Sequence, residues 1–121
     1  MITVYQIRLT DKQRDTVNKL GHDSVPAQVV RLRMNMGFEG SGFCEDYLQY
    51  YTGSYEIDTD DLEEAFAIAN GFGDFGKVQT FKLTAPSASV GDIFVKDGDL
   101  YICDTFGFVN VGRYDLAQET A

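Results

Sequence analysis

Histidine and cysteine are scarce in this chain of 121 residues, which has one histidine, His22, and two cysteines, Cys44 and Cys103. Zinc sites use ligand pairs at short spacing, such as Cys-x-x-Cys or His-x-x-x-His, and no such pair occurs. Two cysteines so far apart in sequence cannot form a disulfide framework, so we interpret both as reduced thiols. A nucleophilic serine or cysteine needs a nearby base, and His22 is the one imidazole in the sequence. The sequence therefore predicts no metal site, no cofactor and no catalytic residue.

Long apolar runs are also missing. No stretch approaches the roughly 18 to 20 residues that a membrane-spanning helix needs. The first residues, MITVYQIRLTDK, have neither the basic lead nor the apolar block of a signal peptide. We therefore expect a cytoplasmic protein without membrane contact, and its length suits a single domain over residues 1–121.

Basic residues are few, and their distribution is uneven. The formal net charge is −9, with six basic and three acidic residues before position 37 and four basic and sixteen acidic residues after it. An acidic majority repels a phosphate backbone, so direct binding to nucleic acid is disfavoured. One acidic run comprises Asp58, Asp60, Asp61, Glu63 and Glu64. We interpret this run as the solvated start of a helix, and the alternative is a surface that imitates nucleic acid to bind a basic partner.

The dipeptide Asp97-Gly98 separates two segments in which apolar residues alternate, a pattern typical of a hairpin with a tight type I′ turn. A two-residue turn fixes the register, which pairs Lys96 with Asp99, Val95 with Leu100, Phe94 with Tyr101, Ile93 with Ile102, Asp92 with Cys103 and Gly91 with Asp104. Opposed residues share a face. One face of the hairpin is therefore predicted to enter the core through Ile93, Val95, Leu100 and Ile102. The other face, with Phe94 and Tyr101, is predicted to be half exposed and open to partial cover by a helix or a partner.

The remaining elements follow from periodicity and capping residues. Strands are predicted over residues 2–9, 47–57, 77–83 and 108–111, and helices begin after Thr10 and after the run 59–61. Residues 24–36 are ambiguous, because Ser24 before Val25-Pro26 fits a helix start. The alternation of Val30, Leu32, Met34 and Met36 with polar residues favours a strand. The fold class is α+β, a mostly antiparallel sheet of about five or six strands with two or three short helices and a C-terminal hairpin.

Two motifs invite a chemical interpretation. The Gly-rich segment GFGDFG, residues 71–76, follows a helix, whereas a phosphate-binding loop precedes one, so we interpret it as a helix end and turn. Asp92 and Asp104 flank the hairpin, but the register directs them to opposite faces, which disfavours a pair that shares a proton. We expect Asp92 to accept a hydrogen bond in the turn Ser89-Val90-Gly91, and Gly107 to form a bulge or bend.

The pattern Ser89-Val90-Gly91-Asp92-Ile93, a short hairpin and then Tyr101 to Phe108 resembles the signature of YodL-like domains, which occur in proteins of phages, plasmids and integrative elements. The resemblance covers mainly the C-terminal third of the chain. It implies an accessory role without an established catalytic activity, and it marks six motif positions to which no role is assigned: Ser89, Gly91, Asp92, Asp104, Gly107 and Phe108. Cys103 departs from the aliphatic residue that is usual before the aspartate.

We therefore expect a non-enzymatic accessory protein of a phage or mobile element that binds another protein. The expected interaction surface comprises Asp60, Glu63, Glu64, Phe94 and Tyr101. The alternative is a small enzyme or ligand-binding protein whose site lies between the Gly-rich loop and the hairpin and uses Cys103, Asp92 and Tyr101.

Overall fold

A six-stranded antiparallel sheet organises the fold, and the computed structural model describes residues 1–37, 43–81 and 87–114. The strands are β1 (Ile2–Ile7), β2 (Tyr51–Ile57), β3 (Val78–Phe81), β4 (Ile93–Lys96), β5 (Asp99–Asp104) and β6 (Gly107–Arg113), in the spatial order β3-β2-β1-β4-β5-β6. The helices are α1 (Asp11–Leu20), α2 (Pro26–Asn35) and α3 (Leu62–Ala69), with short 3₁₀ segments at His22–Ser24, Glu45–Tyr50 and Phe75–Lys77. The predicted α+β class is confirmed.

Each face of the sheet has its own apolar core. On one face the buried residues come from α2, β1, the start of β2 and the hairpin strands, and they include Val30, Met34, Tyr5, Ile7, Tyr51, Ile93, Leu100 and Ile102. On the other face α3 covers a second core, which includes Ala65, Ile68, Ile2, Val4, Phe94 and Cys103. Successive residues of a strand point to opposite faces. Accordingly, Ile2 and Val4 of β1 lie in one core, and Tyr5 and Ile7 lie in the other.

The predicted hairpin register is confirmed from Lys96–Asp99 to Ile93–Ile102. The turn residues Asp97 and Gly98 have φ angles of 52° and 85°, the positive values that a type I′ turn requires. Ile93, Leu100 and Ile102 are buried, and Val95 packs partly buried against the same core.

A helix covers the opposite face of the hairpin, as the sequence allowed, but it buries Phe94 more completely than expected. Phe94 has no exposed surface, because α3 covers this face and places Phe66 with a ring centroid 6.4 Å from that of Phe94. The ring of Phe108 packs edge-on against that of Phe94, with 5.1 Å between the two ring centroids. Phe94 is therefore a core residue, and its assignment to an interaction surface is wrong.

The strand favoured for residues 24–36 is also wrong, because this segment forms α2. Pro26 occupies the start of the helix after an extended Val25, a position where the missing N–H of proline has no cost. Val30 and Met34 are four residues apart, so both point inward in a helix as well as in a strand. Leu32 and Met36, which the strand pattern had placed in the core, are exposed.

The other elements agree with prediction apart from their ends. Thr10 forms a capping box with Gln13 before α1, and the Asp61 side chain caps α3. Residues 47–50 are 3₁₀ rather than strand, so β2 begins at Tyr51. β3 runs to Phe81, the last residue of the described range 43–81. Residues 82 and 83 of the predicted strand lie outside the described residues. Within those ranges every helix is too short or too polar to cross a lipid bilayer.

Truncation of Ile102 to Ala tests the core face of the hairpin. Ile102 is 2% exposed, so we expect Ile102→Ala to lower the free energy of unfolding by about 2 to 5 kcal/mol. Urea denaturation followed by circular dichroism measures the change. Val29→Ala is the control because Val29 is 44% exposed, and it should change stability by less than about 0.5 kcal/mol. Similar effects of the two variants would show that the face is wrongly assigned.

The turn is tested by comparing two alanine substitutions. Both positions have positive φ, which an L side chain with a Cβ adopts at a cost of about 1 to 2 kcal/mol, whereas glycine adopts it freely. Gly98→Ala adds this cost, whereas Asp97→Ala exchanges one strained side chain for another. We therefore expect thermal unfolding to show a larger loss for Gly98→Ala, and equal losses would contradict the type I′ assignment.

Candidate functional site

The segment before β4 turns sharply at a glycine bulge. The Gly91 backbone N–H donates to the carbonyl oxygen of Cys103 at 2.8 Å, and the Cys103 N–H donates to the carbonyl oxygen of Asp92 at 2.9 Å. Two residues therefore oppose one, with Gly91 at φ +96°, as in a G1-type bulge. The predicted pairing of Gly91 with Asp104 is wrong because the bulge ends the regular register. A Cβ on Gly91 would lie 2.7 Å from the carbonyl carbon of Met34 in α2, so the close approach of the bulge to α2 requires glycine.

Asp92 joins this bulge to the middle of the sheet. Its side chain is buried, with the residue 8% exposed. Oδ2 accepts hydrogen bonds from Gln6 Nε2 at 3.0 Å and from the Ser89 backbone N–H at 2.8 Å. Gln6 Nε2 also donates to the carbonyl oxygen of Ser87 at 3.3 Å. The prediction that Asp92 accepts a hydrogen bond within the turn is confirmed.

Burial controls the electrostatics of this group. It raises the pKa of the Asp92 carboxyl group to about 6, although the hydrogen bonds from Gln6 and Ser89 and the charge of Arg31 act in the opposite direction. The Tyr51 hydroxyl donates to the carbonyl oxygen of Gly91 at 2.6 Å. Burial and the negative charge of Asp92 both raise the pKa of Tyr51, so this hydroxyl remains a proton donor at neutral pH.

A small polar cleft opens beside Asp92 at the end of the sheet. Its lining comes from β1, α2, the first residue of β2 and the segment 87–92: Gln6, Ile7, Arg31, Met34, Asn35, Tyr51, Ser87, Ser89, Gly91 and Asp92. The cavity measures about 70 Å³. Arg31 is exposed and Asp92 is buried, so the cleft has a carboxylate inside and a guanidinium at its rim. We refer to it as the Asp92 cleft.

The other three motif residues shape the β5–β6 turn. Asp104 is buried, and its Oδ1 accepts a hydrogen bond from the Thr105 backbone N–H at 2.6 Å. The same Oδ1 would lie 2.7 Å from a Cβ on Gly37, just after α2. Gly107 has φ +88°, in line with the predicted bend, and Phe108 packs against Phe94. The six motif positions thus divide into one group at the Asp92 cleft and one that forms a turn.

The site expected between the Gly-rich loop and the hairpin does not coincide with this cleft. Neither Cys103, Tyr101 nor any residue of the loop 71–76 lines it. Burial and the charges of Asp92 and Asp104 raise the pKa of the Cys103 thiol to about 12, so the sulfur stays protonated and is a poor nucleophile. In the described part of the chain, no group of three or more His, Cys, Asp or Glu side chains could hold a metal ion.

The acidic run stabilises the start of α3. Asp61 Oδ1 accepts hydrogen bonds from the backbone N–H groups of Glu63 and Glu64. Hydrogen bonds from the Thr59 hydroxyl and from Lys77, whose Nζ lies 2.9 Å from Glu64 Oε2, lower the pKa of Glu64. Asp60 contacts the N-terminal amine at 3.2 Å. These bonds support the interpretation of the run as a helix start. The side chain of Glu63 is exposed to solvent.

Seven of the ten residues that line the cleft were missed from the sequence, among them Gln6, Arg31 and Tyr51. Gln6 had a detectable signal, since it is a polar residue on the face of β1 that otherwise carries Ile2 and Val4. A polar side chain at a core position requires a hydrogen-bonding partner. Arg31 and Tyr51 had no such signal, because only the packing of α2 and β2 against the end of the sheet brings them to Asp92.

Comparisons with protein-family models, with curated proteins and with solved structures found no match for this chain.

The raised pKa of Asp92 predicts a pH-dependent stability difference. The pKa rises from 3.8 to about 6 on folding, so the folded state holds its proton to higher pH than the unfolded chain. The stabilising contribution is therefore complete below pH 3.8 and is lost as the pH rises through about 6. The loss amounts to about 3 kcal/mol at most.

Asp92→Asn measures this contribution, because the amide keeps an acceptor for Gln6 and Ser89 but does not titrate. We expect urea denaturation to show that the variant gains stability relative to the wild type between about pH 4 and pH 7. Subtracting the two curves removes other titrating groups such as Glu64, whose pKa is lowered. A difference that does not change with pH would contradict the burial of an ionisable Asp92.

Proposed function

We propose that this chain is a non-enzymatic protein-binding module of a phage or mobile element, acts in the cytoplasm of its host cell and docks its partner on the outer face of α2. The observation that carries the proposal is an exposed apolar stripe. Val29, Leu32 and Met36 are 44%, 41% and 64% exposed. Their spacing of three and four residues aligns them on one side of the helix. An aligned apolar stripe rimmed by polar residues marks an interaction site more often than scattered apolar residues do.

A groove beside the stripe extends this surface. It measures about 410 Å³ and is lined by Asp23, Pro26, Val29, Val30, Arg33 and Tyr47. Arg33 Nη1 donates to the Tyr47 hydroxyl at 2.9 Å, which holds the guanidinium at the edge of the groove. A partner helix with apolar residues at matching spacing can place a side chain in such a groove.

The positive charge beside the stripe indicates the charge of the partner. Arg33 is exposed and lines the groove next to the stripe, and residues 1–36 carry a net charge of +3. A symmetric dimer through this face would bring the same guanidinium groups of two copies together, and like charges across an interface are unfavourable. The surface therefore suits a different protein that presents an apolar helix face flanked by acidic side chains.

The resemblance of residues 89–108 to YodL-like domains supports the phage or mobile-element setting. Exposed Glu63 and half-buried Tyr101 lie on the α3 side of the sheet, away from α2. The proposal therefore replaces the expected surface, which included these residues, with the α2 face.

Crosslinking tests the docking surface. A photo-crosslinking amino acid at position 32 should capture the partner in host cells, and the same amino acid at position 72 is the control. Phe72 is 84% exposed and follows α3 on the other side of the sheet. Equal capture from both positions would contradict the proposed surface.

Titration calorimetry with the captured partner, once purified, then tests the energetics. Leu32→Ser should weaken binding by about tenfold or more, because it removes apolar area at the centre of the stripe. Phe72→Ser should leave the dissociation constant unchanged. Raising the salt concentration should weaken binding further, since Arg33 is a solvent-exposed charge beside the stripe. Sedimentation as a dimer of this chain, abolished by Leu32→Ser, would overturn the choice of partner.

A further inference from the structure

The Asp92 cleft contains a buried carboxylate that no positive group contacts among the described residues, although the charge of Arg31 at the rim acts on it from beyond salt-bridge distance. Asp92 forms no ion pair with any residue in the described ranges, where the recorded pairs involve Asp60, Asp11, Glu64 and Asp99. Both hydrogen bonds to its side chain end on Oδ2, and Oδ1 accepts none from the described residues. Buried carboxylates are normally paired with a positive group or fully hydrogen-bonded. A cationic group in the cleft would complete the set of partners.

A cation alone does not match the whole cleft, because Arg31 also lines it. Arg31 Nη1 donates to Gln28 Oε1 at 3.4 Å on the same helix, which keeps the guanidinium near the rim, where it forms no ion pair with a described carboxylate. A guanidinium repels a simple cation and binds a carboxylate in a bidentate geometry. The complementary ligand therefore carries both charges, the positive one inside and the negative one at the rim.

The volume of the cleft further limits the class of ligand. The cavity measures about 70 Å³, whereas sites for cofactors and drug-sized molecules measure roughly 300 to 1,000 Å³. The enclosed part of the cleft therefore accommodates a group of only a few non-hydrogen atoms. Ser87, Ser89 and Asn35 add polar groups to the lining, so the ligand has little apolar surface to bury.

We infer that the Asp92 cleft is a binding site for a small zwitterion of the α-amino acid class, whose ammonium group pairs with Asp92 and whose carboxylate pairs with Arg31. The site is independent of the proposed partner-binding function, although both use helix α2. Gln6 and the Ser89 backbone hold the carboxylate of Asp92 in place. The Gly91 bulge, bonded to Tyr51, forms the wall against α2.

Titration of the ¹⁵N-labelled chain with glycine and L-alanine, followed by NMR, tests the inference. We expect saturable shifts of the amide signals of Ser89, Gly91 and Asp92, with a dissociation constant below about 10 mM. Methylammonium and acetate each carry one of the two charges, so each should bind more weakly than glycine. L-Tryptophan should not bind because its side chain exceeds the cavity.

Two variants test the residues. Arg31→Gln is the main variant, since Arg31 is exposed and its loss should leave the fold intact, and we expect it to weaken glycine binding by about tenfold or more. Asp92→Asn should abolish the binding. Lys12→Gln is the control, because Lys12 is an exposed cation on α1 outside the cleft. Leu32→Ser should also leave glycine binding unchanged, which separates this site from the docking surface.

The inference is overturned by any of three results. The first is the absence of saturable shifts with glycine and alanine up to about 50 mM. The second is equal binding of methylammonium, acetate or tryptophan. The third is glycine binding that persists in both Arg31→Gln and Asp92→Asn.

Discussion

The alternation of side chains along β1 is the constraint on which the rest of the structure depends. β1 pairs with β2 on one side and with β4 on the other, and its residues enter both cores. A slip of one residue would move Tyr5 and Ile7 to the side of α3 and Ile2 and Val4 to the side of α2. The side-chain packing of both cores would then be disrupted together. The positions of α2 and α3 therefore follow from a register fixed at the centre of the sheet.

Local sequence signals predicted the hairpin, whereas the choice between helix and strand for residues 24–36 depended on distant parts of the chain. Asp97 and Gly98 determine the turn by their own backbone preferences, so the register next to them could be derived from the sequence. Residues 24–36 carry apolar side chains with two periods at once, because Val30 and Met34 point the same way in a strand and in a helix. The sheet leaves no free place for another strand beside β1, since β2 and β4 occupy both of its edges. The pairing of β1 with β2 and β4 is a feature of the tertiary structure, so residues 24–36 contain no local sequence signal of it.

The candidate site shows the same division. Ser89, Gly91 and Asp92 could be selected from the sequence because they are adjacent and have turn chemistry. The cleft itself is made by Gln6, Arg31 and Tyr51, which lie in three other elements. Burial by those elements changes Asp92 from an ordinary turn residue into a carboxyl group with a raised pKa. The sequence thus indicated the residue, and only the packing determined its chemistry.

The distance along the chain between β1 and β4 has a consequence for folding. Tyr5 pairs with Ile93 and Ile2 with Lys96, so the central pairing joins residues of β1 to residues that are translated much later than β1. Contacts of such long sequence separation require costly loop closure and slow the folding of a domain. On the ribosome, α2, β2 and α3 emerge before β4, but the edge of β1 that pairs with β4 stays unpaired until β4 has emerged. During that interval its open edge offers a template for pairing with other chains, which makes the nascent protein a natural client for molecular chaperones.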